Sequence, residues 1–523
     1  MSGVLLRGMH AGYAASLAPS WTRFVAAATK PERAQRSKLD AILRANATTA
    51  FGREHGFEGI DSVEAFQSKV PVCRFDQMTP WVERVAKGEL NVLTADPVRM
   101  MERTSGSTSP NKLIPFTQGF LDEIAAATHP WLFDLFRRCP GLAGKRSYWA
   151  ISPATRTRQK TEGGIPIGID DDTEYFGLLG RWILGAMMAV PSRVGRIADV
   201  NHWRWETCRH LLLCRDLGLI SVWSPTFAMR IMETIERDLD DLLASIDERR
   251  ADEVRRAIDG NQGQLTGEAL WPQLAVVSCW TDGPSRGFVP ALQRWFPRTS
   301  IQSKGLLATE GVVSFPLWGR EGSVLSVAGH FFEFVDVEHP TRRPKLAHEL
   351  REGDVVSPLL TTSGGLYRYH LQDLVKCVGR YRAAPCIRFE GRLDCVSDLV
   401  GEKLDARVVG RALDRAARQN GAKWTFAMLA PELGSPPVYH LYLEGDGSDQ
   451  EALSLAQSVE MTLLEGAHYA YCRKLGQLGE VRLVRVTGGV RALERRRSAE
   501  GGRIGELKPS PLDRRAGWGD FFD

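Results

Sequence analysis

Hydrophobic positions along the 523-residue chain recur with helical spacing in some stretches and with strand-like spacing in others. Residues 1–70 predict helices joined by short connections. From 227 to 258, apolar residues recur every three or four positions opposite a face of Glu, Asp and Arg, which predicts a helical region ending at Gly260. Residues 274–280 are continuously apolar, as in a strand covered on both faces. Residues 324–337 alternate like a pair of half-buried strands.

Shorter signals complete the N-terminal part of the chain and mark its end. Residues 88–99 predict a turn, a short strand and another turn, and Thr117 is a candidate N-cap for a helix from 118 to about 128. The pattern changes between 387 and 404, where two short strands surround charged turns. We therefore expect two domains, residues 1–394 and residues 395–523.

The C-terminal part alternates helices with strands, and its basic, Gly-rich stretch from 491 to 505 predicts a mobile loop. Together, the two parts predict an α/β protein. It has a large N-terminal domain of mixed sheets with flanking helices and a small C-terminal α+β domain.

Composition narrows the class of protein. With 43% hydrophobic and 25% charged residues the chain is an ordinary globular protein, and its net charge of +4 is too small to indicate nucleic acid. The nine cysteines form no CxxC pair, which favours reduced, buried thiols in a cytoplasmic protein. No apolar run reaches the ~18 residues of a membrane span, and His10, Ser16 and Pro19 interrupt any signal peptide.

The first stretch with candidate chemistry is a loop of small and hydroxyl residues. Ser105, Gly106, Ser107 and Thr108 precede Lys112, and such a loop can cradle an anion with backbone amides, hydroxyls and a point charge. It lacks the Walker pattern, in which Gly directly precedes the Lys and Ser or Thr directly follows it. The alternative is an ordinary surface turn.

Two further stretches carry candidate ligands. Ala308, Thr309 and Glu310 precede a glycine, and a carboxylate beside a hydroxyl can hold Mg²⁺ against phosphate oxygens; an exposed turn acid is the alternative. Asp373 is placed to accept both ribose hydroxyls. Arg368 and Arg392 can meet phosphate or fix the domain junction, and a structural ion pair is the alternative for each residue of this stretch.

The order of these stretches resembles the adenylate-forming enzymes, and their details resemble the auxin-responsive Gretchen Hagen family of acyl acid amido synthetases, in its bacterial branch. The resemblance covers nearly the whole chain. It is carried by residues 49–56, 70–71, 88–94, 104–117, 308–310, 367–373, 389–392 and 401–403.

The resemblance implies an adenylate-forming fold whose small C-terminal domain is a mobile lid. It implies ATP and Mg²⁺, a carboxylic acid that is activated as acyl-AMP, and an amine or amino acid as acceptor. The implied nucleotide ligands are Ser105, Gly106, Ser107, Thr108, Lys112, Ala308, Thr309, Tyr367, Arg368, Asp373 and Arg392, with Glu310 on the metal and Lys508 as the catalytic lysine. Candidate walls of the acyl pocket are Phe120, Trp131, Trp223 and Phe227, for which core packing is the alternative.

Three departures from the family pattern bear on activity. Gln372 stands where the pattern has Gly, Pro110-Asn111 replaces a Gly-containing stretch, and Pro-Ser-Pro follows Lys508. Two alternatives remain open: transfer to a thiol of coenzyme A or a carrier protein, and a weakly catalytic or non-catalytic homologue that binds nucleotide or acyl ligand. A serine hydrolase is disfavoured because no GxSxG occurs. The base for amine attack is open between His370 and Glu310, and the sequence does not specify the acid, the amine or the oligomeric state.

Overall fold

The computed structural model describes residues 3–104, 112–150, 159–168, 185, 187–393, 396–420, 424–500 and 509–522. The chain forms two compact units. The larger comprises Met1–Val222, Arg230–Cys279 and Trp295–Phe389, and the smaller comprises Trp223–Met229, Trp280–Arg294 and Glu390–Asp523. The α/β class with a large N-terminal and a small C-terminal domain is confirmed.

Helices form the first part of the larger unit, as the sequence predicts. They are α1 (Gly3–Thr29), α2 (Pro31–Asn46), α3 (Ala50–Glu54), α4 (Val63–Lys69) and α5 (Phe75–Ala86). Thr49 and Ser62 begin α3 and α4, and each side chain accepts a hydrogen bond from a backbone N–H three residues further on. Aromatic rings bind α1 to the core: Phe24 stacks on Tyr381 with ring centroids 5.7 Å apart.

A four-stranded sheet follows in the order β2-β1-β5-β4. Its strands are β1 (Met100–Arg103), β2 (Leu113–Phe116), β4 (Gln159–Lys160) and β5 (Pro166–Ile167). Strands β1 and β2 pair antiparallel, with Arg103 opposite Leu113, and the predicted anion cradle belongs to the sequence between them. Thr117 then caps α6 (Gln118–Arg138), which is ten residues longer than the sequence predicts.

A parallel sheet with the order β3-β6-β7-β8 forms the second layer. Its strands are β3 (Arg146–Trp149), β6 (Leu217–Ser221), β7 (Val276–Cys279) and β8 (Ser300–Ser303). Every residue of β6 and β7 is buried, which confirms the strand covered on both faces. The helix α7 (Val200–Leu213) lies between β3 and β6 along the chain. Four helices lie between β6 and β7, namely α8 (Pro225–Arg237), α9 (Leu239–Ala244), α10 (Glu248–Gly260) and α11 (Gly267–Leu270), and α12 (Val289–Trp295) precedes β8.

The third sheet of the larger unit is mostly antiparallel, with the order β11-β12-β18-β17-β15-β13-β14 and with β16 paired to β15. The short hairpin of β9 (Leu307–Ala308) and β10 (Gly311–Val312) leads into it. Its strands are β11 (Ser314–Pro316), β12 (Ser323–Leu325), β13 (Phe331–Asp336), β14 (Lys345–Leu346), β15 (Val355–Thr361), β16 (Tyr369–His370), β17 (Asp373–Tyr381) and β18 (Ala384–Arg392).

The smaller unit carries the strand pair β19 (Val396–Ser397) and β20 (Leu404–Asp405) and a three-stranded sheet in the order β21-β22-β23. The sheet consists of β21 (Phe426–Glu432), β22 (Val438–Glu444) and β23 (Arg482–Arg485). The helices are α13 (Ala406–Asn420), α14 (Asp449–Leu463), α15 (Ala467–Lys474) and α16 (Gly489–Ala499).

Two local expectations are wrong for identifiable reasons. Residues 88–99 contain no strand, because the carbonyls of Asn91 and Val92 accept hydrogen bonds from the start of α3 instead of pairing in a sheet. The basic stretch after 489 is helical through Ala499, because Ala492 and Leu493 are buried and pull one face into the core. By contrast, the helical region predicted for 227–258 is confirmed: it consists of α8, α9 and α10, and α10 ends at Gly260 as predicted.

Candidate functional site

The Thr309–Glu310 dipeptide forms the tip of the β9–β10 hairpin. Ala308 lies opposite Gly311, so that the two residues between them make the turn, and both are half-buried. Gly311 has a φ of 155°, and a Cβ atom there would lie 2.8 Å from His330 Nε2. Because that spacing is too short for real atoms, the hairpin requires glycine at this position.

A buried pair of side chains anchors the hairpin from behind. The Val312 N–H donates to His330 Nε2 at 3.1 Å, so His330 carries its proton on Nδ1 and donates it to Glu123 Oε2 at 2.9 Å. Glu123 also accepts a hydrogen bond of 2.5 Å from the Ser363 hydroxyl. The side chains of Glu123 and His330 are at most 2% exposed, so their hydrogen bonds hold the hairpin in a fixed position relative to the sheet.

The Tyr369 side chain connects two of the stretches predicted from the sequence, residues 308–310 and residues 367–373. Its hydroxyl donates to Glu310 Oε1 at 3.3 Å, and its backbone lies opposite Leu360 on β15. Glu310 and the 369–373 segment therefore share one site. Tyr369 was missed by the sequence analysis, which placed Tyr367 there, because nothing in the alternating Tyr-Arg-Tyr order distinguishes the two rings.

His370 and Asp373 flank a sharp turn on this segment. His370 Nε2 lies 2.8 Å from Ser357 Oγ, and burial, with Arg74 nearby, lowers the pKa of its imidazole to about 4. Asp373 begins β17 and is only 4% exposed. Gln372 between them has a φ of 63°, a left-handed conformation that favours glycine.

Arg368 and Tyr367 have other partners. The Arg368 guanidinium donates to the Glu333 carboxylate at 2.9 Å and to the Val70 carbonyl at 2.6 Å, and its side chain is 4% exposed. Tyr367 is fully buried, with its hydroxyl on the Leu93 carbonyl at 2.6 Å. These contacts match the structural alternative that the sequence left open for this stretch.

The residues on either side of the predicted anion cradle pair with each other. The Thr104 N–H donates to the Lys112 carbonyl at 3.0 Å, and Lys112 Nζ lies 5.6 Å from the centre of the Phe75 ring. Ser105, Gly106, Ser107 and Thr108 lie outside the described residues, as does Lys508. Arg392 ends β18 and belongs to the smaller unit.

The four candidate pocket residues lie in different places. Phe120 and Trp131 are on α6 in the larger unit and are 0% and 4% exposed. Phe120 meets Phe116 edge to face at 4.7 Å, a core contact. Trp223 and Phe227 belong to the smaller unit, where Trp223 lies 5.7 Å from Trp280.

Lys304, which the sequence analysis did not single out, is a buried lysine just after β8. Its Nζ donates to Ser221 Oγ at 2.6 Å and lies 5.2 Å and 5.6 Å from the ring centres of Trp131 and Trp149. Burial lowers the pKa of its ammonium group to about 7. Its position directly before a glycine, six residues ahead of Glu310, was the available signal.

Within the described part of the chain, no group of three or more His, Cys, Asp or Glu side chains is arranged to hold a metal ion by itself. None of the described helices combines the length and apolar character that a membrane crossing requires. Eight cysteines are described, all free and buried.

The domains of one known protein family match this chain in order along its sequence. The N-terminal domain of the GH3 family matches residues 21–258, its central domain residues 323–392, and its C-terminal domain residues 407–515. Jasmonoyl–L-amino acid synthetase GH3.5 of Oryza sativa subsp. japonica is 24% identical over 522 residues, with 87% of each chain covered. Indole-3-acetic acid-amido synthetase GH3.15 of Arabidopsis thaliana is 24% identical, covering 72% of this chain and 70% of the relative.

Solved structures share the fold at lower identity. AtGH3.15 acyl acid amido synthetase in complex with 2,4-DB superposes with a TM-score of 0.85 at 18% identity, covering 97% of this chain and 95% of that one. A 2-hydroxyisobutyryl-CoA ligase superposes with a TM-score of 0.52 at 12% identity, covering 86% and 85%. The domain matches along the chain and this common architecture lead to one assignment: the chain belongs to the GH3 family, the Gretchen Hagen family of acyl acid amido synthetases.

Proposed function

We propose that this chain is an ATP-dependent acyl acid amido synthetase. It activates a carboxylic acid as acyl-AMP with release of pyrophosphate, then passes the acyl group to an amine, with an amino acid as the natural acceptor class. The observation that carries the proposal is the anchored Thr309–Glu310 hairpin, joined through Tyr369 to the segment that ends in Asp373, in a chain of this family.

The first half-reaction joins two anions, and positively charged and hydrogen-bonding residues of the site offset the repulsion between them. A carboxylate oxygen attacks the α-phosphorus, and the bond to pyrophosphate breaks. Ser105–Thr108 and Lys112 hold the phosphates in this proposal, and Lys508 neutralises the α-phosphate and the acyl oxygen. Ala308 and Thr309 lie beside the adenylate, and Asp373 holds the ribose hydroxyls. Tyr367 and Arg368 support the site from the core.

Glu310 fits a magnesium ligand. Mg²⁺ at nucleotide sites binds one or two carboxylates together with substrate phosphates, and a half-buried carboxylate at a hairpin tip satisfies that requirement without a protein-only cage. When bound, the ion supplies positive charge against the phosphates. Tyr369 orients the carboxylate by donating a hydrogen bond to Oε1.

In the second half-reaction, the amine nitrogen attacks the acyl carbon, the bond to the AMP oxygen breaks, and the amine loses a proton. His370, whose pKa burial lowers to about 4, is neutral at pH 7 and a weak proton acceptor. We therefore propose that the amine enters in its neutral form and that the proton it loses on attack passes to the Glu310 carboxylate. The free, buried cysteines favour a reducing, cytoplasmic location.

The test is acid-dependent exchange of pyrophosphate into ATP across a panel of carboxylic acids, followed by mass spectrometry after addition of mixed amino acids or coenzyme A. Amide products confirm the proposal, whereas thioester products move the chain to the thiol-acylating alternative. AMP binding without exchange for any acid would identify a binding homologue instead.

Variants then test the assigned roles. Lys508→Ala, Asp373→Asn and Glu310→Gln should each remove most of the exchange while the fold remains intact. The exposed Lys474→Ala and Glu58→Gln serve as matched controls and should keep full exchange. Full exchange in any of the first three variants contradicts the role given to that residue.

A further inference from the structure

The buried parallel sheet carries a row of polar side chains near the carboxyl ends of its strands. Trp149, Ser221, Ser278 and Gln302 are successive neighbours in register across β3, β6, β7 and β8. Neighbours in register share a face of the sheet, and Lys304 follows Gln302 by two residues. A sheet covered on both faces normally carries apolar side chains throughout, so polar side chains at these positions are unusual.

Two members of the row have polar atoms with no hydrogen-bond partner among the described residues. They are Ser278 Oγ and Gln302 Nε2, in side chains that are 0% and 8% exposed. Gln302 uses its other end to accept a hydrogen bond of 3.4 Å from the Trp131 indole. A buried polar atom without a partner destabilises the fold, and pairing with a bound group is one reason why such an atom is retained.

The location fits a ligand site. In α/β proteins, ligands bind beyond the carboxyl ends of the parallel strands. Ser221 ends β6, Ser278 is the penultimate residue of β7, and Lys304 follows β8 directly. Trp149, the last residue of β3, is half-buried, whereas Trp131 is buried.

We propose that this row binds the acid substrate at a group other than its reacting carboxyl, and that Lys304 selects acids carrying a second oxygen acceptor, above all a second carboxylate. The inference rests on the proposed function and names the substrate class of its acid site. Lys304 supplies a charge-assisted hydrogen bond, and the Ser278 hydroxyl and the Gln302 amide donate beside it.

The electrostatics of Lys304 give the proposal a specific signature. With its pKa lowered to about 7, the side chain is mostly neutral at pH 7.5 in the free protein. Among the described residues, the Cys279 thiol acts on it, and burial raises the pKa of that thiol to about 12, so that the thiol is neutral. A bound carboxylate favours the ammonium form, and binding is therefore coupled to proton uptake.

The experiment compares two acids of equal chain length, hexanoate and adipate, by isothermal titration calorimetry at pH 7.5. Two buffers of different ionisation enthalpy measure the protons taken up. A second pair, benzoate and terephthalate, covers aromatic acids. For the wild type, we expect the dicarboxylate of at least one pair to bind about tenfold more tightly than its partner, with uptake of a proton.

Lys304→Met should bind both members of the pair equally and take up no proton. Ser278→Ala should weaken dicarboxylate binding several-fold, and the exposed control Lys87→Met should behave as the wild type. Equal affinity for both members of each pair in the wild type, or an unchanged preference in Lys304→Met, overturns the proposal. If Lys304→Met does not fold, Ser278→Ala and Gln302→Leu carry the same comparison.

Pyrophosphate release from the same acids separates this inference from the proposed function. A preference for the second carboxylate in binding, without release from any acid, contradicts the synthetase activity and supports the inference. Release from both members of each pair with equal affinities and equal kcat/KM supports the synthetase and overturns the inference.

Discussion

Replacing Lys304 by Met should change how the stability of the larger unit depends on pH. An exposed lysine titrates near 10.4, whereas burial lowers the pKa of Lys304 to about 7. The difference corresponds to about 5 kcal/mol, which is the free energy of keeping the ammonium protonated inside the fold at pH 7 and below. Met has a similar length and no proton to lose.

The sign follows from the protons bound in each state. Between pH 7 and about 10, the unfolded chain holds a proton on Lys304 that the folded chain has released, so the free energy of unfolding rises with pH. The slope is about 1.4 kcal/mol per pH unit. From pH 7 to pH 9, the wild type should therefore gain about 2 kcal/mol that Lys304→Met does not gain, because Lys304 is about half protonated at pH 7 and the full slope is reached only above that pH.

The net effect of the substitution at pH 7 is smaller than 5 kcal/mol, since the contacts of Lys304 are lost with it. They are the hydrogen bond to Ser221 and the placement over the Trp131 and Trp149 rings, together about 3 kcal/mol. Lys304→Met should therefore be about 2 kcal/mol more stable at pH 7, and that advantage should vanish near pH 9.

Urea denaturation at pH 7, 8 and 9, followed by tryptophan fluorescence, measures these changes through the midpoint of the transition in which the larger unit unfolds. Lys87→Met, at an exposed position, should run parallel to the wild type. The reasoning is refuted if Lys304→Met also runs parallel to the wild type, because Lys304 would then titrate as an exposed lysine does.

Three further outcomes follow from the site. His330→Leu should raise the KM for ATP or lower kcat at least tenfold while leaving the KM of the acid unchanged, and His330→Gln, which still accepts from Val312 N–H, should restore part of the loss in steady-state assays of pyrophosphate release. Gln372→Gly should raise the free energy of unfolding by about 1 kcal/mol in urea denaturation, since only glycine adopts a φ of 63° without strain, and Gln372→Val should lower it. Glu333→Gln should destabilise the larger unit by about 3–5 kcal/mol because it removes the carboxylate that pairs with the buried Arg368 charge, and the double variant with Arg368→Met should regain most of that loss.

Much of the fold is predictable because periodicity survives in the sequence wherever burial is one-sided or complete. The continuous apolar run at 274–280 and the cap at Thr117 both specify their elements locally. The prediction of a strand within 88–99 is wrong because the backbone carbonyls there accept hydrogen bonds from α3. No local sequence pattern indicates that partner. The prediction of a mobile loop after Gly488 is wrong for a related reason, because Ala492 and Leu493 are buried against other residues of the smaller unit.

The candidate site follows a similar division. The Thr309–Glu310 turn is recognisable from its own residues, and its link to the segment ending in Asp373 is visible only in three dimensions. Arg368 has the chemistry of a phosphate ligand, yet Glu333, 35 positions earlier, occupies its guanidinium. Lys304 lies directly before a glycine, but the burial that lowers its pKa cannot be read from the sequence, because residues of α6, β3 and β6 build its environment.

The bonds that join the start of the larger unit to its late strands bear on how the protein is made. Gln35 donates to the carbonyls of Val327 and His330, almost 300 positions later, and Arg368 donates to the carbonyl of Gln67, 301 positions earlier. At roughly 5–20 residues per second, a ribosome needs about 15–60 s to synthesise the intervening chain. During that interval the first helices emerge without their partners, which makes the nascent chain a client for chaperones and predicts that truncation before residue 368 yields aggregation rather than a smaller folded enzyme.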